Sequence, residues 1–287
     1  MLTLWSCSQQ HRWVESLRRF VAKYVQQGDR STRIKVALID DGVEAEQSGL
    51  RTMAKGGWPT EEPTSSGTPF YQSTDGHGTA MARLIATACP HVDLYVAKLK
   101  SLSKVVSRNE TWRLSADENS DAWTSTAAEA AAAIEWARSE KVQVISMSWT
   151  LIETDQNSKH IANLRDKIEA AARDNIIMYC AAADQGLYGS LKKPHPAASS
   201  SAIRVVEYLF PGEEFEEIGN REGSSAATAL AAGFTALILW CYEASDRNIK
   251  SKSRYRMRNP DRIHYVFEGL RELVAGSGPK SNGVRNK

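Results

Sequence analysis

Val36-Ala37-Leu38-Ile39-Asp40-Asp41-Gly42 is an apolar, β-branched run that stops at two acids and a glycine. The stretch 34–39 follows a charged turn and carries no period-two alternation. It therefore reads as a strand buried on both faces, as in a parallel sheet. An acid at the carboxyl end of such a strand stands where open α/β sheets build their sites. Capping a turn or the next helix is the other use of an Asp at this place.

Two further stretches carry chemistry. In Asp75-Gly76-His77-Gly78-Thr79 a base lies between glycines, and Ala80, Met81, Leu84 and Ile85 follow at helical spacing. Glycines beside a base let the backbone turn tightly and let a substrate approach. A histidine at a helix start can also serve only as a cap. Gly223-Ser224-Ser225-Ala226-Ala227-Thr228-Ala229-Leu230-Ala231-Ala232-Gly233 opens a small-residue helix over 226–239, whose alanines and Gly233 permit close packing on a sheet. A hydroxyl at a helix start gains from backbone N–H donors and the positive end of the dipole. As a plain N-cap, Ser224 or Ser225 would need no catalytic role.

Acid, base and nucleophile occur in the order Asp, His, Ser. With these motifs, 33–242 resembles the subtilisin-like serine proteases, whose chain order this is. The family's Gly-Thr-Ser-x-Ala-Thr-Pro-x-x-Ala-Gly is matched with Ser224 for Thr and Ala229 for Pro. The resemblance implies an α/β, three-layer subtilisin-like fold: a mostly parallel sheet with helices on both faces. It implies Ser225 as nucleophile, His77 as general base and acid, and Asp40 as the acid that orients His77. Asp40 should face His77 and Asp41 should not, because the family places the catalytic acid first. His77 should lie within hydrogen-bond reach of both Asp40 and Ser225.

The rest of the site departs from the pattern. The family ends one strand in Ala-Ala-Gly-Asn-x-Gly, whose asparagine donates to the oxyanion. Here Ala181-Ala182-Ala183-Asp184-Gln185-Gly186 puts Asp184 in that place. An ionised carboxylate only accepts, so Asp184 donates only when protonated. The Asp-Asp-Gly-Val and Asp-Gln-Gly stretches resemble an intracellular-looking fungal branch of the family that carries Asp here. The oxyanion hole is thus assigned to Asp184 and the Ser225 N–H. The strand 144–150 resembles the family's substrate-binding strand, to which an extended peptide adds by β-augmentation. This assigns Ser148, Trp149, Thr150, Ala182 and Ala183 to substrate; Trp149 reads equally as a core residue. Between 203–208 and Pro211-Gly212, about one hairpin's worth of residues is missing against the family's layout.

Composition sets outer bounds. The 287 residues, 42% hydrophobic, suffice for one large α/β domain. A formal net charge of only +2 argues against a nucleic-acid partner. No apolar run is read as long enough for a membrane span, and the N-terminus does not read as a signal peptide. Cys7, Cys89, Cys180 and Cys241 are widely spaced without metal-type pairing, and Cys180 and Cys241 read as buried, reduced thiols. Together these favour an intracellular, cytoplasmic setting; the resemblance implies a protein or peptide substrate, and no metal or cofactor is expected. A module that binds peptides without cleaving them is the alternative function, and the same acyl-enzyme chemistry would also serve transpeptidation.

Three segments are expected: 1–32 as an amphipathic helix and linker, 33–245 as the peptidase domain, and 246–287 as a basic segment and disordered tail. In 11–26, Trp13, Val14, Leu17, Phe20, Val21, Tyr24 and Val25 recur at helical spacing. A helix packed on the domain is favoured over a membrane-surface or partner helix. Further along, 56–74 reads as a surface loop, 101–123 as an irregular insertion, and 92–99, 142–149 and 176–183 as strands. Helices are expected over 125–139, 161–174 and 263–274. The β-α-β alternation predicts the parallel sheet independently of any resemblance.

Overall fold

The computed structural model describes residues 7–47, 49–59, 69–100, 121–149, 151, 153, 155–181, 210, 223–245, 257 and 259–276. At its centre is a five-stranded, all-parallel sheet in the order β2-β3-β1-β4-β5. The strands are β1 (Ile34–Asp40), β2 (Ala54–Trp58), β3 (Val92–Lys98), β4 (Val144–Met147) and β5 (Ile177–Cys180). Strand β1 runs in the middle. It pairs with β3 from Ile34↔Val92 to Asp40↔Lys98, and with β4 from Val36↔Val144 to Ile39↔Met147.

Strand β1 is apolar from Val36 to Ile39 because both its faces are covered there. Val36 and Leu38 belong to one core with Val96, Leu84, Ile85, Ala229 and Leu237. Ala37 and Ile39 belong to the other, with Ala130, Ile134, Ala137, Leu164 and Ala171. The first face carries α1 (Cys7–Phe20), α2 (His77–Ala88), α5 (Ser224–Ser245) and α6 (Pro260–Gly276). The second carries α3 (Asp121–Ser139) and α4 (Ser158–Arg173). This is the expected three-layer arrangement.

Several expectations are corrected. Ala54–Trp58 is a strand, although 56–74 reads as loop. Its Ala-Lys-Gly-Gly-Trp sequence hides the strand, and its pairing with β3 slips between Ala54 and Gly56. Gly57 is needed there because a Cβ would sit 2.1 Å from the Phe70 ring. Helix α3 starts at Asp121, within the segment expected to be irregular. Helix α5 spans 22 residues and is long and apolar enough to cross a membrane by length and composition, against the expectation that no run reaches that length. Most of it is buried in the fold, which accounts for its apolar character. Cys180 is exposed rather than buried, at the end of β5. Cys89 is fully buried, and burial pushes its thiol up to about 12.

The N-terminal helix packs on the domain. Val14, Leu17, Val21 and Val25 are buried in the first core, and Val21–Val25 continues α1 as a π-helical turn. The Trp13 ring meets Phe210 and Phe234. Phe20 and Tyr24 fall outside this narrow stripe and lie exposed against each other.

Gly233 is the close-approach point of α5, though its neighbour is α2 and not the sheet. A Cβ there would lie 2.8 Å from Ala88 Cβ and 2.9 Å from Ile85 Cα and O. Gly233→Val is therefore expected to lower stability by about 1–3 kcal/mol through overpacking. Denaturant unfolding measures this. An unchanged midpoint would show that the two helices are not in this contact.

Candidate active site

Parallel strands deliver their carboxyl ends to one edge of the sheet. Asp40 is the last residue of β1, and Ser148 follows directly after β4. Helix α2 begins with His77, and Ser225 lies in the first turn of α5.

Asp40 and His77 form a buried pair. His77 Nδ1 lies 2.8 Å from Asp40 Oδ1, and each residue is about 1% exposed. Since a carboxylate only accepts, Nδ1 carries the proton, and Nε2 is the basic nitrogen of the neutral ring. Asp40 Oδ1 also accepts its neighbour's N–H, from Asp41, at 2.8 Å. Burial raises the Asp40 carboxyl above its usual range, His77 draws it back down, and the Asp41 carboxylate adds to the rise. A buried carboxylate of this kind gains most when the imidazole beside it becomes charged.

Ser225 makes a different bond from the one expected. Its Oγ donates to the Ser148 carbonyl at 3.1 Å, and Ser148 Oγ donates back to the Ser225 carbonyl at 3.3 Å. A hydroxyl has one proton to give, so in this conformation it is not given to the imidazole. The bond to Ser148 must be given up before it can be. The reciprocal pair does bind the first turn of α5 to the end of β4.

The Trp149 side chain faces the second core. It is 7% exposed, and its indole N–H donates to the Ile39 carbonyl at 2.8 Å, one residue before Asp40. The core reading of this side chain is the one the geometry favours, and it steadies the end of β1. Thr150, Ala182, Ala183 and Asp184 lie outside the described residues, as does the shortened segment near 203–212 apart from Phe210. Among the described residues, no group of three or more His, Cys, Asp or Glu side chains is placed to hold a metal ion.

Two glycines permit the close docking of α2 on β1. A Cβ on Gly78 would lie 2.2 Å from the Gly42 carbonyl oxygen. Gly42 itself has φ +98° and approaches the Gln72 carbonyl, which a Cβ would meet at 2.3 Å. Lys98, at the end of β3, is 3% exposed and donates to that same carbonyl at 2.7 Å. Sequence reading passed over Lys98. Its one trace is a lysine between apolar residues at the end of a buried strand.

A profile described as the Subtilase family matches residues 31–214. The chain belongs to the subtilase family. The matched span holds Asp40 and His77 and ends before Ser225. An intracellular serine protease of Paenibacillus polymyxa is 23% identical to this subtilase over 262 residues, which is 79% of this chain and 73% of that protein. Subtilisin E of Bacillus subtilis (strain 168) is 26% identical over 247 residues, 74% of this chain and 57% of its own length. The chain thus spans little more than half of that second relative. Among solved structures, the crystal structure of a lanthipeptide protease superposes with a TM-score of 0.57 at 17% identity, over 85% of this chain and 83% of that one. That likeness concerns the fold.

Proposed function

We infer that this subtilase is a serine endopeptidase acting through Asp40, His77 and Ser225. The observation that carries this is the buried 2.8 Å contact between Asp40 and His77 at the sheet edge where α5 presents Ser225. Once turned from Ser148, the Ser225 hydroxyl attacks the scissile carbonyl while His77 Nε2 takes its proton. Asp40 holds the ring and stabilises the imidazolium. His77 then protonates the leaving amine, and water releases the acyl group by the reverse path. The substrate is an extended peptide paired along β4 and the residues Ser148, Trp149 and Thr150 that follow it, with Ala182 and Ala183 also assigned to substrate. The developing oxyanion is received by the Ser225 N–H and a protonated Asp184. An intracellular setting is part of the proposal. Its support is three free thiols among the described residues, Cys89, Cys180 and Cys241, and the name of the Paenibacillus relative.

Labelling with a fluorophosphonate probe tests the reading, because only an activated serine reacts. Labelling at Ser225 is expected. A folded chain that neither labels nor cleaves any peptide would favour the peptide-binding module, a reading helped by the bond of Ser225 to Ser148.

Asp184 gives a second test. A carboxylic acid that must stay protonated to donate stops donating as pH rises. Asp184→Asn supplies a donor at every pH and is expected to be at least as active as the parent, with a flatter alkaline decline. Rates on one peptide from about pH 5 to 9 make the comparison. A uniform loss of activity in Asp184→Asn would assign the residue to a local turn instead.

A further inference from the structure

Asp41 is fully buried next to the acid of the site, yet its carboxylate serves the loop before His77. Oδ1 accepts the Gly78 N–H at 2.7 Å, and Oδ2 accepts the Asp75 N–H at 2.7 Å. The Ser73 hydroxyl lies 2.9 Å and 2.7 Å from the two oxygens, and its own Oγ accepts the Gly76 N–H at 2.7 Å. The Asp41 carbonyl accepts the Thr74 N–H at 3.1 Å. Residues 73, 74, 75, 76 and 78 are thus tied to Asp41 directly or through one oxygen, with His77 held between them.

The helix start explains the need. Gly76 precedes α2 with φ +77° and has no side chain to cap it. Asp41 supplies the missing acceptor from across the gap, and its negative charge suits the positive end of the helix. A carboxylate this deep calls for an opposing charge. Lys98 is buried nearby, its stem within 3.2 Å of where a Gly42 Cβ would stand. Burial pushes the Lys98 ammonium down from its ordinary range, and the carboxylates of Asp41 and Glu44 pull it back up. Glu44 joins the same cluster, accepting the Ser73 N–H at 3.1 Å and donating its own N–H to Thr79 Oγ1 at 2.9 Å.

We propose that Asp41, faced by Lys98, is the positioning residue of this site: it sets the 73–78 loop and the first turn of α2, and through them the place of His77 against Asp40. The role rests on the peptidase reading above, because its effect on rate passes through His77. Asp41→Asn is the informative change. The amide keeps one acceptor oxygen but turns an N–H₂ toward the N–H of Asp75 or Gly78, donor against donor.

The test uses the full chain and three readouts: peptide kcat and KM, thermal unfolding, and the far-downfield proton NMR signal of a buried Nδ1–H held by a carboxylate. Asp41→Asn is expected to lower kcat by about 10- to 100-fold with KM within about twofold, since small misplacements of a reacting group act on kcat. The downfield signal should shift or vanish in Asp41→Asn and persist in Ser225→Ala. An unchanged signal with kcat within about twofold of the parent overturns the proposal. If Asp41→Asn does not fold, Ser73→Ala decides: it keeps the charge and removes one donor, with an expected kcat loss of roughly tenfold. Unchanged kcat and signal in folded Ser73→Ala would also overturn it. A parent chain without turnover or labelling counts against the peptidase reading alone. The proton signal then still reports whether Asp41 holds His77 on Asp40.

Discussion

Ser225→Ala is expected to abolish fluorophosphonate labelling and to lower kcat on a peptide by about 10⁴- to 10⁶-fold. In the proposed mechanism the hydroxyl is the atom that attacks, and alanine leaves nothing in its place. What remains is the rate supplied by substrate binding and the oxyanion site. The change should be nearly silent in stability. The Ser225 hydroxyl bond to Ser148 is a neutral one, of about 1 kcal/mol net. Residues that act as one unit are not additive, so His77→Ala should cost a comparable factor, and the double variant little more than either alone. Kinetics of the three variants beside their unfolding curves make the measurement. Comparable turnover in Ser225→Ala and the parent would remove Ser225 from the chemistry.

Gly78→Ala is expected to have the next largest effect, on both rate and stability. The added methyl would lie 2.2 Å from the Gly42 carbonyl oxygen, 2.9 Å from Asp41 Oδ1 and 3.1 Å from Asp40 Cβ. Its nearest neighbour is backbone, at a residue with φ +98°, so the strand end cannot simply step aside. The start of α2 must lift instead. His77, the adjoining residue, is then drawn off Asp40. A displacement near 1 Å costs on the order of 10²-fold in rate, and overpacking costs about 1–3 kcal/mol. Gly269→Ala is the control, since it lies in α6 with nothing within 4 Å of its added Cβ. There alanine should be neutral or stabilising by up to about 1 kcal/mol. Equal behaviour of the two variants would mean that Gly78 is not in close contact with β1.

The central strand was legible because it is buried on both sides. An uninterrupted apolar run followed by Asp40-Asp41-Gly42 has few other readings. The helices that follow His77 and Ser225 were legible from their small and apolar residues. Strand β2 was not, because two of its five residues are glycines of low strand propensity, one of which, Gly57, makes room for the Phe70 ring. Lys98 was hidden for another reason. Only the pairing of Asp40 with Lys98 across β1 and β3 brings it to the site, and no local pattern encodes a register between strands more than fifty residues apart. Trp149 carried an ambiguity that only the fold resolves: its indole reaches the Ile39 carbonyl from within the core.

Helix α5 holds Ser225 at its tip and fills the first core along its length. This joins two events during synthesis. The ribosome makes the Asp40 and His77 segments first and reaches α5 several seconds later at about 5–20 residues per second. Until then the growing chain has neither Ser225, its proposed nucleophile, nor the helix that covers β1 and β4. Under the proposed mechanism, a nascent chain that still lacks α5 cannot cut its neighbours on the polysome. The step that completes the core is also the step that delivers Ser225 to the site.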